Sequence, residues 1–292
     1  MIGQLVLNAL IAGSIYTLAG LGFAVLYRIT RFFDFSFGLI YPIGAYSAFV
    51  AVHWLRLPLS FSVLVAIVVA VAAAILLDTV VYAPLRRHGA STMVFFLASI
   101  GVYVLGQNLL SIVFGDAARS IRPFEVVQGM DVLGARITMP QVLIVASAIA
   151  CAFGTAMMLS LSAVGRQIRA VADDRELAAI LGVRISAVIL ITIAVGAALG
   201  GLAGVLSALD RDMIPTMGMN LLLMGIVAMI VGGRESVLGV AFGAYLVGLA
   251  QNLGILWIPS MWQDAIVFVI LITFLLFRPQ GLRGRALKRF AV

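Results

Sequence analysis

Charge and nucleophiles are what this chain has least of. Only 11% of its 292 residues are charged, against roughly a quarter in a soluble domain. Lysine occurs once, at Lys288, cysteine once, at Cys151, and histidine twice, at His53 and His88. Each scarcity excludes something. A lone cysteine inside an apolar run forms no intrachain disulfide, so this is not a stapled secreted fold. A nucleotide-binding P-loop needs Gly-Lys-Ser/Thr, because the lysine reaches the phosphates. The one lysine here precedes Arg289, which leaves no Walker A loop. The histidines stand far apart, no His/Cys/acid group has metal-ligand spacing, and there is no Ser-His-acid constellation. Proton-driven carriers place ionisable residues in mid-membrane. Here the acids fall in loops or at the ends of apolar runs. Asp78 alone sits about a turn inside, where it can reach the interface or pair with Arg86 or Arg87. A membrane enzyme and a proton-coupled carrier are both disfavoured, and the chain carries no cofactor of its own.

What is there is apolar. Such residues make up 63% of the chain and mean hydropathy is +1.18, more than a soluble fold of this size can hide behind polar cover. The expectation is a single all-α, polytopic membrane domain over residues 1–292. Runs near 4–27, 37–55, 58–82, 91–114, 140–162, 185–208 and 236–256 are long enough to cross a bilayer. Two shorter runs, near 217–231 and 263–277, read as tilted, broken or re-entrant helices, giving about eight or nine spans. The first basic residue, Arg28, follows the first apolar run, so that run is not a cleaved signal. Net charge is +7, which fits positive-inside loops rather than nucleic acid. With the N-terminus outside, Arg28, Arg31, Arg86, Arg87, Arg166, Arg169, Arg175, Arg184, Arg234, Arg278, Arg283, Arg285, Lys288 and Arg289 lie inside. That is fourteen of nineteen basic residues, so the expected orientation is N-out, C-in.

Two loops stand out. In the outer segment 115–139, Phe124–Val127 and Val132–Thr138 flank Gln128–Asp131, which reads as a small hairpin or an irregular exposed loop. The inner segment 163–184 reads as a short amphipathic helix. Asp173 followed by Glu176 has capping-box spacing, Leu177, Ile180 and Leu181 form an apolar stripe, and Gly182 stands where a glycine ends a helix. The stripe needs a partner, either the membrane interface and the protein's own helix ends or a docking protein.

Polar and small residues inside the spans supply further candidates. Asn8, Gln107, Asn108, Gln251 and Asn252 fall in the outer thirds of their spans, and Tyr16, Tyr41 and Tyr245 lie nearer the middle. These residues, with Phe37, are candidates to line a solute pathway; otherwise the polar ones satisfy one another between helices. Gly196, Gly200 and Gly204 repeat every four residues, as do Gly239 and Gly243, a spacing that permits close helix packing. Pro42 is expected to bend the second span and open backbone groups at Gly38–Tyr41.

Four stretches together resemble the permease subunits of branched-chain amino acid ABC importers, the shorter of the two permease types. The first comprises Asn8, Gly13, Tyr16, Leu18, Gly22, Tyr27, Phe35, Gly38, Gly44, Ala45 and Tyr46. The second comprises Gly165, Arg166, Arg169, Ala170, Ala172, Ala179, Leu181 and Gly182. The third is Gly232, Gly233, Ser236, Gly239 and Gly243. The fourth is Arg278, Pro279, Gly281, Leu282 and Gly284.

The resemblance implies a permease in a bacterial inner membrane. Its partners would be a second permease subunit, two cytoplasmic ATPases that hold ATP and Mg, and an extracytoplasmic solute-binding protein, with lipid around it and no nucleic acid. It assigns the inner loop to coupling. Arg166, Arg169, Asp173 and Glu176 would fix register in an ATPase groove, and Leu177, Ile180 and Leu181 would be buried there. The chain also departs from the pattern. Where the family has Asn-Phe-Ala-His-Gly, this sequence has Asp34-Phe35-Ser36-Phe37-Gly38; Glu235 replaces a glycine, and Gln251 an acid. These changes bear on which solute is carried, with urea, short amides and other amino acids as alternatives. A stand-alone carrier or channel is the alternative of a different class.

Overall fold

The computed structural model describes residues 2–121, 130–132, 135–278 and 280–282. Lipid offers backbone groups no hydrogen-bond partner, so apolar segments must satisfy their own and coil into helices. The helices are α1 (Ile2–Thr30), α2 (Ile40–His53), α3 (Leu59–Leu77), α4 (Ala83–Arg87), α5 (Thr92–Phe114), α6 (Met139–Leu161), α7 (Ala163–Asp173), α8 (Arg175–Ile180), α9 (Ile185–Asp210), α10 (Met217–Gly232), α11 (Val237–Gly254) and α12 (Gln263–Phe277). Among the described residues, eight helical stretches are long and apolar enough to cross a membrane, as the all-α polytopic expectation requires. The ninth run is α10, an unbroken helix of 16 residues. It is about 24 Å long, short of the ~30 Å hydrocarbon core, and it survives because most of it is buried against other helices.

The bundle is built around α1, whose most apolar window is 94% buried, against 11% for α5 and 6% for α12. The inner helix is thus enclosed by protein, and the outer two present apolar faces to lipid or to a partner. Glycines set the spacing around α1. A Cβ at Gly22 or at Gly196 in α9 would lie 2.8 Å from the other's carbonyl oxygen, and one at Gly248 in α11 would lie 2.7 Å from that of Ala9. Gly44 in α2 meets Gly201 in α9 just as closely, at 2.5 Å. The repeats read from the sequence stand at such approaches. Gly200 faces the Phe37 ring, Gly204 abuts the Tyr41 carbonyl, Gly239 abuts the Gly232 carbonyl, and Gly243 abuts that of Ala228.

Two prolines shape the helices they interrupt. The second span opens as a 3₁₀ turn, Phe35–Leu39, before α2. Pro42 has no N–H for the Gly38 carbonyl four residues back. That carbonyl is not left open to a pathway, as the sequence suggested, but lies directly against Gly218 of α10. Likewise, Pro84 cannot donate to the carbonyl of Val80, and the helix widens into one π turn, Asp78–Tyr82, between α3 and α4.

Both loops differ in detail from expectation. The inner loop is two helices, because Asp174 breaks it. Asp174 has extended backbone (φ −149°) and caps α8 by accepting from the Glu176 and Leu177 N–H groups. Asp173 instead ends α7, so the cap is one residue later than the spacing suggested. In the outer loop, β1 (Met130–Val132) pairs antiparallel with β2 (Ala135–Ile137), Asp131 opposite Arg136. Met130 and Asp131, expected in the turn, are therefore in a strand. The expected first strand, Phe124–Val127, lies outside the described residues, as do Pro279 and the C-terminal basic residues from Arg283 onward.

Contact distance at the glycines predicts opposite outcomes for two alanine substitutions. Gly204→Ala should lower the melting temperature in detergent, by the equivalent of about 1–3 kcal/mol, because backbone rather than a flexible side chain must move. Gly101→Ala meets nothing within 4 Å and should leave it unchanged or raise it.

Candidate coupling surface and solute pathway

One end of the bundle gathers many of the basic residues, among them Arg28, Arg31, Arg86, Arg169 and Arg175. There α6 turns sharply into α7. The Ser162 hydroxyl oxygen accepts from the Gly165 N–H at 2.9 Å, and Gly165 packs against the carbonyls of Met158 and Leu159, where no Cβ would fit. Gly165 is therefore part of the fold, below the surface, together with buried Ile168 and Val171. Arg166, Arg169, Asp173 and Glu176 are exposed. The α8 stripe is more exposed still, with Leu177 at 55%, Ile180 at 82% and Leu181 at 73%. Only Ala178 turns inward. At the end of α8 the Gly182 N–H bonds the Ala179 carbonyl and the Val183 N–H bonds that of Ala178. Gly182 takes the left-handed conformation this ending needs (φ +83°).

Arginines lace this surface to the bundle through main-chain carbonyls. Arg31 donates to the Ala172 carbonyl of α7, and Arg175 of α8 donates to the Ile29 carbonyl of α1. Arg28 donates to the Glu235 carbonyl between α10 and α11. Arg31 itself is left-handed (φ +56°), an uncommon state for a residue with a side chain, and this conformation ends α1.

Just inside lies a buried polar unit. The Asp34 carboxylate accepts from the Ser36 N–H at 2.9 Å, the Ser36 hydroxyl at 2.6 Å and the Tyr82 hydroxyl at 2.6 Å. Asp78 pairs with Arg86 through two bonds of 2.7 Å. A cavity of about 30 Å³ adjoins both groups, enough for a water. Burial pushes the Asp34 carboxyl above the usual carboxylate range, and the hydrogen bonds from Ser36 and Tyr82 pull it part of the way back. Two of the family departures, Asp34 and Ser36, thus form a single hydrogen-bonded unit. A third, Phe37, packs edge-on against Tyr41 at 5.5 Å and against Gly200. Phe37 and Tyr41 are both buried among helices.

Toward the other end, the residues proposed for a pathway separate into groups. The Tyr16 hydroxyl donates to Gln251 at 2.8 Å, and the Gln251 amide donates to Asp264 at 2.9 Å. Asp264 also accepts from Asn220 at 3.2 Å. One chain of hydrogen bonds therefore crosses α1, α11, α12 and α10. Gln251 is thereby joined to an acid on α12. Tyr245 meets the Ser14 hydroxyl at 3.0 Å. Asn8 accepts from Gln4, which also holds the Arg136 backbone of β2. Asn108 and Asn252 turn back to carbonyls of their own helices, Val104 and Gly248. Gln107 is half-buried on α5, beside the exposed Asn108. Sequence reasoning missed Tyr82, Asn220 and Asp264 as members of these networks. Their partners come from helices far away in the chain, and only the acidity of Asp264 near a span end offered a signal.

Comparison with known proteins fits this architecture. The family described as branched-chain amino acid transport system / permease component matches residues 5–275. The chain belongs to that family. It is a multi-pass membrane permease subunit of the ABC importer class. The high-affinity branched-chain amino acid transport system permease protein BraD of Pseudomonas aeruginosa is 31% identical over 97% of this chain and 95% of its own length. The corresponding protein LivH of Escherichia coli K12 is 28% identical over the same shares. The autoinducer 2 import system permease protein LsrC of Escherichia coli is 30% identical, but over 42% of this chain and 38% of its own length. No solved structure matches.

The Asp34 unit generates a pH prediction. A carboxyl raised in the folded state contributes its full stability below the ordinary aspartate value of 3.8, and that contribution is lost as pH rises through the raised value. Asp34→Asn stays neutral throughout. The melting temperature of the wild type should therefore fall relative to Asp34→Asn as pH rises through this window, and parallel curves would contradict the assignment.

Proposed function

We propose that this chain is the membrane-spanning half of an importer for a small apolar amino acid of the branched-chain type, oriented N-out and C-in in a bacterial inner membrane. A second permease subunit completes the channel, two cytoplasmic ATPases drive it, and an extracytoplasmic binding protein delivers the solute. The chain itself catalyses nothing. ATP is hydrolysed on the partners.

The observation that carries this reading is the α7–α8 surface. A helix with three large apolar side chains facing outward, held in place by arginine bonds to α1, is arranged to insert into a groove on another protein. Arg166, Arg169, Asp173 and Glu176 around it would set the register. On this reading Gly165 and Gly182 shape the element and do not touch the partner. In the solute pathway, the Tyr16–Gln251–Asp264–Asn220 chain is the part that could rearrange polar contacts during a transport cycle. Phe37 and Tyr41 would set the bore by packing, without contacting solute through polar groups.

Proteoliposomes holding both permeases, the ATPases and the binding protein should accumulate labelled leucine only with ATP inside the compartment occupied by the ATPases. Leucine exchange by the permease alone would assign it instead to the carriers or channels. Within the complex, Ile180→Asp and the pair Arg169→Glu with Glu176→Arg should each cut ATPase association about tenfold, the scale expected for losing a buried apolar or charged contact, without altering the melting temperature of the permease. Unchanged association would remove the role of α8.

A further inference from the structure

Beside the Asp34 unit, sharing Thr30, Phe32 and Arg86 with its small cavity, is a groove of about 310 Å³ between the end of α1, the start of α5, α8 and α9. Two guanidiniums, Arg86 and Arg175, line it, together with the hydroxyl residues Thr30 and Thr92 and the apolar side chains of Phe95 and Ile189. The charge here is unbalanced. The carboxylate of Asp78 is fully engaged by Arg86, while Arg175 gives a single N–H to the Ile29 carbonyl. A guanidinium carries five donors, so among the described residues most of those on Arg175 have no partner. Burial, and the positive charges of Arg86 and Arg31 nearby, push the Arg175 guanidinium below the ordinary arginine value. The same α5 terminus begins at Thr92 with no side chain from Ser91 capping it, so its first N–H groups add to the positive field.

We propose that this groove binds the phosphodiester headgroup of an anionic phospholipid. Three features identify the ligand. The donors are arginines, whose planar fork suits phosphate oxygens. The lining also includes apolar side chains, Phe95 and Ile189 among them, which a free phosphate would not use but the glycerol and upper acyl chain of a lipid would. Finally, the groove sits where α1 ends and α5 begins, at the level where spanning helices emerge from the bilayer and headgroups lie. Basic pockets between membrane helices are suited to such headgroups. Because Arg175 belongs to α8, a bound headgroup would also neutralise the repulsion between Arg175, Arg86 and Arg31, and so hold the outward-facing α8 against α1.

The test is native mass spectrometry of the assembled transporter released from nanodiscs of phosphatidylethanolamine with phosphatidylglycerol. The wild type should retain phosphatidylglycerol over phosphatidylethanolamine. Arg175→Gln should reduce that retention about tenfold, the scale of a lost charge-assisted contact, and Arg175→Lys should keep part of it, with assembly intact in both. Equal retention by the wild type and Arg175→Gln would overturn the proposal. So would displacement of the lipid by millimolar inorganic phosphate without any preference for phosphatidylglycerol, since that would assign the site to free phosphate. Phosphatidylglycerol bound to the isolated permease but absent from the assembled complex would overturn it as well, because a partner's acidic side chain would then occupy the groove.

Discussion

The structure depends on how closely helix backbones approach around α1. In water, burying apolar surface would hold such a bundle together. In a bilayer the lipid tails are as apolar as leucine, so helix association rests on contact distance and on hydrogen bonds between helices. Gly22 against Gly196, Gly44 against Gly201, and Gly248 against Ala9 set those distances. With a larger side chain at any of them, the helices would separate and the dispersion contacts along their length would weaken together. The same constraint explains why α5 and α12 stay at the periphery. In α5, Gly101 faces open space, α12 has no glycine, and many of the large apolar side chains of both helices are exposed.

A tightly packed centre allows its ends to carry polar groups that would otherwise be costly in a membrane. Asp34 and Asp78 are buried acids, and each is fully partnered, one by Ser36 and Tyr82 and the other by Arg86. The arginine bonds from Arg31 and Arg175 join α7 and α8 to the end of α1. A force applied at α8 therefore reaches the innermost helix through two short links. At the opposite end, the chain from Tyr16 to Asn220 joins four helices. Under the proposed function, a push on α8 is transmitted along α1 to a polar network on the far side, which connects ATP hydrolysis on a partner to the solute path.

Span number, helix type and the amphipathic inner loop were legible from apolar runs and spacing, because a membrane enforces helix wherever a run is long enough. The resemblance placed Gly165 and Leu181 on the same loop, and composition excluded a Walker A site. Other features needed three dimensions. The cap moved from Asp173 to Asp174 although only Asp173 has a glutamate three residues on, because the extended backbone at Asp174 lets its carboxylate accept from the Glu176 and Leu177 N–H groups. The departures at Asp34 and Ser36 looked like separate substitutions, but Tyr82, 46 residues beyond Ser36, binds both. The amides were grouped by depth in the membrane, yet Gln251 reaches a neighbouring helix while Asn252, the next residue, bonds its own. Depth does not tell which way a side chain faces; the helix rotation does, and that is set by the glycine contacts.

The central claim, that the outward face of α8 is the surface on which a driving subunit acts, is tested most directly by accessibility. In a protein with Cys151→Ser and Ile180→Cys, a membrane-impermeant maleimide should label the single thiol readily in the isolated permease. Once the ATPase subunits are assembled and transport is active, labelling should fall at least about tenfold, the scale of a contact fully excluded from water. Equal labelling of a transporting complex would contradict the account and place the coupling contact elsewhere on the permease.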